Sequence, residues 1–430
     1  MASAKDAEYE GYIVKIENTA SLFSDIGADG VQWLWEDTYI ADSEHALNKL
    51  LSTGNVSFYE PNYVASLFDV DSDGWAYDTL AADYPACYGL DGGGVRVAVI
   101  DSGVDLTNSN LEDAHIQTGC DYIENTDRMT DDLYHGTKVT QIIAGDADGN
   151  AVTGIARGAS VVPLRCFSQT DGGTAAMLAQ AIRDAVDVYH CDIINMSWGM
   201  PNESQILHEA IQYAADAGAI LIAAAGNVSW QYPQGTVMYP AAWDEVIGVG
   251  AVSRSLAVSN YSQRTEAVYV AAPGEKLTFV NEIGRTVTDS GTSFAAPCIA
   301  AEAAVLKQLA PWLDGDDVMR LIQERAVDLG ETGFDTAFGW GITPLDSLLS
   351  DHWGTLIGGE PVKVGGWRLG DGSMVAAEYD EDGKMLSFRA AESSAIWDVC
   401  DETAYVKLFW VDDGYKPLCE CGEYKLTEEG

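Results

Sequence analysis

From Val95 to Leu349, short apolar runs alternate with longer stretches in which apolar residues recur every three or four positions. VRVAVI, SVVPLRC, CDIINMS, AILIAAAG and VIGVGAV have strand length. GTKVTQIIAG, TAAMLAQAIRDAVDVY, ESQILHEAIQYAADA and the stretch after Ser293 carry the helical period. Strands that are apolar throughout, rather than at alternate positions, belong to a sheet covered on both faces. The pattern therefore predicts an α/β domain: a parallel sheet flanked by helices.

The flanks read differently. GYIVKIE, VQWLWEDTYI, SEHALNKLL and VSFYEPNYVASLF suggest two or more strands and a helix, a small α+β unit over residues 11–68 behind a disordered N-terminus of residues 1–10. DVDSDGWAYD follows as an acidic linker. Its first residues match half of a calcium-loop pattern, but Leu80 stands at the twelfth position, where a bidentate Glu is wanted, so a solvated linker is the expectation. The main domain spans 69–350. Beyond it, SMVAAEYDEDGKMLSFRAA and AYVKLFWVDDGYKPL bring strand and turn signals, and 351–430 is expected to form a small all-β domain.

Composition narrows the function classes. The 430 residues are 47% hydrophobic, as in a folded chain, and 67 acidic against 23 basic residues give a formal charge of -44. That charge argues against nucleic acid and anionic membranes as partners. No run of eighteen apolar residues occurs, so no membrane span is expected, and MASAKDAEYEGYIVKIE lacks the apolar core of a signal peptide. The eight cysteines form no CxxC pair; Cys191 and Cys298 read as small core residues.

Four residues stand at predicted element ends. VAVIDSGVDL puts Asp101 at the carboxyl end of a strand, where α/β sheets place their sites. LYHGTKV puts His135 at a helix start, AAAGN puts Asn227 after another strand, and DSGTSFAAPCIAAEAAVL puts Ser293 at the mouth of an alanine-rich helix. Taken singly, each is a turn residue or a cap. Taken together they are what acyl transfer needs: a hydroxyl, a base to take its proton, a carboxylate to hold the base, and a donor for the oxyanion.

VAVIDSGVD, HGTKV, SWG, AAAGN and GTSFAAP resemble the motifs of the subtilisin-like serine proteases, in that family's order, over about residues 92–349. The HGT motif separates the chain from sedolisins, which share a GTS-like turn. The resemblance implies that Asp101 orients, His135 is base and then acid, Ser293 attacks, and Asn227 stabilises the oxyanion. It implies that Ser197, Trp198 and Gly199 pair with an extended protein or peptide substrate and form one wall of the first pocket. Ala224, Ala225 and Gly226 would form the other wall, with Met238 at the floor. Residues 11–68 resemble a ferredoxin-like inhibitory prosegment that acts within its own chain, with self-cleavage near Phe68-Asp69. No cofactor is needed for the chemistry. A structural calcium would sit at the loop GDADGNAVTG, where Asp148 and Asn110 match ligand positions. A monomeric, secreted bacterial zymogen is the expectation. Lys138 and Cys298 replace two histidines of the usual motifs. A second reading follows from them: a silent binding protein with a blocked cleft.

Overall fold

The computed structural model describes residues 9–16, 31–35, 38–41, 43–63, 74–127, 129–146, 152–170, 173–350, 352–357, 363–367, 373–392, 394–400, 402–411 and 422–425. The chain divides into two compact units, residues 1–69 and 70–430.

In the first unit β1 (Tyr9–Ile16), β2 (Val31–Trp35), β3 (Thr38–Ala41) and β4 (Val56–Tyr63) form an antiparallel sheet in the order β2-β3-β1-β4. That order, with α1 (Glu44–Leu51) between β3 and β4, is the ferredoxin-like arrangement. Ser43 starts α1, its Oγ accepting from the Ala46 amide at 3.2 Å. The helix then buries Ala46, Leu47 and Leu50 with Val14, Ile16 and Ala41. The first strand begins at Tyr9, two residues earlier than the sequence pattern placed it.

The second unit is built on β5 (Arg96–Asp101), β6 (His115–Ile116), β7 (Cys120–Asp121), β8 (Ser160–Arg165), β9 (Ile193–Met196), β10 (Ile220–Ala224), β11 (Val246–Val252) and β12 (Val270–Pro273). They pair in parallel in the order β12-β11-β10-β9-β5-β8-β6, with β7 beside β8. Nearly every residue of β8 to β12 is buried, which is why these strands read as unbroken apolar runs. The chain leaves β5 for β8 on one side and returns to β9 on the other. The switch point, where open α/β sheets gather their ligands, therefore lies at the carboxyl ends of β5 and β9.

Helices α2 (His135–Ala144), α3 (Ala175–Asp187), α4 (Gln205–Asp216), α5 (Thr292–Leu309) and α6 (Gly315–Arg325) cover the sheet. Val139, Ile142 and Ile143 of α2 share one core with Phe294, Ala295 and Ile299 of α5 and with Val97, Ile222 and Val249 of the sheet. Leu178 and Ile182 of α3 pack with Leu207 and Ile211 of α4 on the other face. A hairpin the sequence pattern missed, β13 (Leu277–Val280) with β14 (Thr286–Asp289), leads into α5. The expected linker also differs. Residues 64–73, with the Phe68-Asp69 bond, lie outside the described residues, but Trp75–Thr79 is a short helix whose Trp75 and Ala76 are buried in the core of the second unit.

The remaining strands, β15 (His352–Ile357), β16 (Lys363–Trp367), β17 (Ser373–Tyr379), β18 (Met385–Glu392), β19 (Ser394–Asp398), β20 (Tyr405–Val411) and β21 (Gly422–Lys425), form two antiparallel sheets, β15-β16-β19 and β18-β17-β20-β21. Among the described residues no helix is long and apolar enough to cross a membrane.

Candidate active site

Asp101 is the last residue of β5 and is 3% exposed. Its Oδ1 accepts from the Ser102 amide at 2.7 Å, and both carboxylate oxygens face His135 Nδ1, at 2.8 and 3.0 Å. With Nδ1 held there, Nε2 is left as the free nitrogen of the ring. Burial opposes charging of the imidazole, and the Asp101 carboxylate outweighs it, so His135 titrates above the ordinary histidine value.

The turn that delivers His135 is fastened from behind. Tyr134 caps α2 in the left-handed region, φ 60, a conformation that disfavours a side chain. Asp131 supplies the compensation: its carboxylate accepts from the Tyr134 amide (2.7 Å), Ser102 Oγ (2.7 Å), and the Thr137 amide and Oγ1 (2.8 and 2.6 Å). Burial pushes the Asp131 carboxyl up, while the bonds from Thr137 and Ser102 favour its ionised form. Ser102 Oγ in turn accepts from the Gly136 amide at 2.9 Å, so β5 and the start of α2 are tied through two side chains.

Ser293 stands in the first turn of α5. Its carbonyl would be the α-helical acceptor for residue 297, but Pro297 has no amide hydrogen. Ser197 Oγ donates to that carbonyl instead, at 2.7 Å, and itself accepts from Asn195 Nδ2 at 2.9 Å. The proline thus leaves open the bond that fixes the serine turn to the strand end after β9.

Asn227 follows β10. Its Oδ1 accepts from both the amide and Oγ1 of Thr292, each at 3.0 Å, which turns Nδ2 the other way. Gly291 lies where the two groups converge. A β-carbon built there would be 2.9 Å from Ser293 Oγ and 3.4 Å from Asn227 Nδ2. The missing side chain keeps open the space that a reacting carbonyl between nucleophile and donor would occupy.

An open pocket of about 370 Å³ adjoins these groups, lined by Asp101, Leu133, His135, Phe167, Ser197 and Trp198. The rings of Phe167 and Trp198 are 6.2 Å apart. Arg165, buried at the end of β8, holds the wall by bonds to Asp121 (2.7 Å), Asp132 (3.1 Å) and the Ser102 carbonyl (3.2 Å). Gly199, Ala225 and Gly226 flank the other side of the Ser293 turn, where Gly226 donates to Thr292 Oγ1 at 3.2 Å and Met238, 5% exposed, packs against Gly199 and Gly226. Ala224 is the last residue of β10 and is buried in the core.

The two departures from the usual motifs have separate fates. Lys138 Nζ bonds Asp289 Oδ2 at 2.7 Å and lies over the Phe279 ring. Cys298 is fully buried, its Sγ facing the carbonyls of Phe294 and Pro273 at 3.5 and 3.6 Å, and burial pushes its thiol up. Neither side chain lines the pocket beside His135. Of the metal candidates, Asp148 lies outside the described residues. Asn110 is fully buried; its Nδ2 donates to the Asp146 carbonyl at 3.1 Å and its Oδ1 has no partner, an orphan acceptor of the kind a hard cation takes.

Asp131, Thr292, Gly291 and Arg165 were not singled out in the sequence. Only Thr292 and Gly291 had a signal there, as members of the GTS turn.

A strand-end carboxylate bonded to a histidine, beside a helix-mouth serine and an amide donor at the switch point of a parallel sheet, defines a serine hydrolase of α/β type. The chain matches the Subtilase family over residues 92–341 and belongs to it; it is a subtilisin-like serine endopeptidase. It is 32% identical over 306 residues to the minor extracellular protease Epr of Bacillus subtilis, covering 69% of this chain and 46% of that protein. It is 29% identical over 253 residues to subtilisin DY of Bacillus licheniformis, covering 59% of this chain and 91% of that protein. Among solved structures, MycP1 from Mycobacterium smegmatis superposes with TM-score 0.58 at 26% identity, over 67% of this chain and 87% of that one. The MycP3 protease from the type VII (ESX-3) secretion system gives 0.57 at 27%, over 66% and 90%.

Proposed function

We propose that the chain hydrolyses peptide bonds through an acyl-enzyme in which Ser293 attacks, His135 takes and then returns the proton, Asp101 holds the imidazole, and Asn227 Nδ2 with the Ser293 amide receives the oxyanion. The observation that carries this reading is the convergence of Ser293 Oγ and Asn227 Nδ2 on the space above Gly291, beside a His135 bonded to Asp101 at 2.8 Å. His135 Nδ1 donates to the carboxylate, so the neutral ring offers Nε2 to the serine hydroxyl. The charge that ring gains on taking the proton is stabilised by the same carboxylate.

An extended protein substrate pairs with the strand end at Ser197, Trp198 and Gly199, on one side of the first pocket, with Ala224, Ala225 and Gly226 on the other. An apolar side chain upstream of the cleaved bond enters the pocket of Leu133, Phe167 and Trp198. Residues 11–68 act as an intramolecular inhibitory prosegment, 69–350 as the peptidase and 351–430 as an accessory domain; the ferredoxin-like strand order of the first unit supports the prosegment assignment. The enzyme works outside a bacterial cell, as the names of its relatives say of them. Calcium has no part in the chemistry; at the loop carrying Asp148, with Asn110 Oδ1 as one ligand, it stiffens the fold.

The test is intact mass and N-terminal sequence of wild type beside Ser293→Ala, with labelling by a fluorophosphonate. A shortened wild type, a full-length variant and label on Ser293 alone are expected. A Ser293→Ala chain that matures without added protease would falsify self-processing, and an unlabelled, folded wild type would favour the silent binder.

A further inference from the structure

We infer that Met238 closes the first side-chain pocket and confines cleavage to bonds that follow a small residue: glycine, alanine or serine. The inference rests on the roles proposed above for Ser293 and Asn227, and it names the substrate class of that site.

An acyl carbon within about 3 Å of Ser293 Oγ, its oxygen toward Asn227 Nδ2, directs its own side chain past Gly226, the residue just before Asn227, toward Gly199 across the cleft. Both positions are glycine, which leaves a recess between two strand ends. One side chain takes that space. A β-carbon on Gly226 would be 2.6 Å from Met238 Cγ, and one on Gly199 would be 3.3 and 3.5 Å from Met238 Cβ and Cε. The thioether chain thus spans the recess from wall to wall, and Met238 is only 5% exposed.

Methionine is an adaptable side chain, so what surrounds it decides whether it can withdraw. Its backbone is held on both sides. Tyr239 and Met200 exchange amide and carbonyl bonds, both at 2.8 Å, and the Met238 carbonyl accepts from Ala242 at 3.1 Å. The segment running from Asn227 to Met238 is pinned by Gln263, fully buried, whose Nε2 donates to the Tyr232 and Pro233 carbonyls (3.2 and 3.1 Å) and whose Oε1 accepts from Gly235 (2.8 Å). The Gln263 amide also donates to the Gly226 carbonyl at 3.0 Å. Neither wall is free to move away from the methionine. A phenylalanine or leucine side chain would meet its sulfur and methyl, whereas a methyl or hydroxymethyl group would fit in front of them. By the same reasoning the bond after Phe68, to which the prosegment tail aligned, is a poor substrate.

The experiment uses the mature enzyme and peptide p-nitroanilides of one upstream sequence that end in Gly, Ala, Ser, Leu, Met or Phe. Wild type, Met238→Ala and Met238→Gly are compared, each active-site titrated with a fluorophosphonate. Wild type should favour alanine over leucine and phenylalanine by about ten-fold or more in kcat/KM, and Met238→Gly should raise the phenylalanine value by about ten-fold while changing the alanine value by less than about three-fold. Wild type that cleaves after phenylalanine as fast as after alanine overturns the inference, and it does so even if neither variant folds. So does a fully titrating Met238→Gly with no gain on phenylalanine. Wild type that neither cleaves any member nor takes the label sinks the underlying serine mechanism instead, and the inference with it; the label separates the two failures because it does not depend on the pocket.

Discussion

Lys138 Nζ lies 2.7 Å from Asp289 Oδ2, joining the first turn of the His135 helix to the strand that leads into Ser293. The bond places a cation near the imidazole. Asp101 and Asp131 raise the affinity of His135 for its proton and Lys138 lowers it. Because the base must be neutral, activity is lost as pH falls through the His135 value. Replacing Lys138 by Met removes the opposing charge and frees the Asp289 carboxylate. The acid limb of the kcat/KM profile should therefore move to higher pH, by about half a unit, with little change on the alkaline plateau. A limb that stays in place, or moves to lower pH, would count against this account.

Gly291 has φ 170, extended backbone that any residue adopts. Gly291→Ala should therefore fold. Its methyl would enter the space between Ser293 Oγ and Asn227 Nδ2, where the carbonyl must sit. The loss expected in kcat/KM is about a hundred-fold or more, comparable to the cost of removing the asparagine oxyanion donor of a subtilisin, a member of this same family. Thermal unfolding shifted by no more than a few degrees, beside that loss, would locate the effect in the site.

Glu302 sits in the middle of α5, 1% exposed, with one oxygen accepting from Thr343 Oγ1 at 2.7 Å and the other without a partner. Burial raises its carboxyl well above the ordinary value of 4.5. The folded chain keeps a proton that the unfolded chain releases, so the group's contribution to stability is full below that ordinary value and falls as pH rises toward the folded one. Glu302→Gln should flatten this dependence and unfold later in urea than wild type at pH 8, by on the order of 1 kcal/mol or more. Parallel stability curves for the two proteins between pH 5 and 9 would refute the assignment.

Cys298 occupies the place of a histidine, yet it is fully buried with its thiol pushed up. Thiol-directed reagents should leave native activity intact, and Cys298 should react only on unfolding. Inhibition by a mercurial that is relieved in Cys298→Ala would show that the core opens there.

Much of the site was legible because its motifs are local. Asp101 ends a strand, His135 begins a helix and Ser293 opens another, and each boundary is written in the few residues around it. What escaped works at a distance. Asp131 is ordinary in its own segment and matters only because Ser102 and Thr137 reach it. Gln263 gains its role from the Tyr232 and Pro233 carbonyls. The same holds for the fold. The long apolar strands were readable, but VAAP is four residues of small side chains and proline, and becomes a strand only beside β11. The acidic letters of DVDSDGWAYD hid Trp75, whose burial depends on a core drawn from the rest of the chain.

The placing of β5 between β8 and β9 also sets when the enzyme can exist. Val97 pairs with Ile193 in the middle of the sheet, so the strand bearing Asp101 gains its second neighbour only after the whole segment carrying His135 has been laid down. Ser293 arrives later still. Pairings this far apart in sequence form slowly, since a long loop must close before any contact rewards it. A chain still being made, or one cut short before α5, has no nucleophile and no closed sheet to present it. The order of the strands is in this sense a clock: it withholds a destructive chemistry from the molecule until synthesis of the peptidase domain is complete.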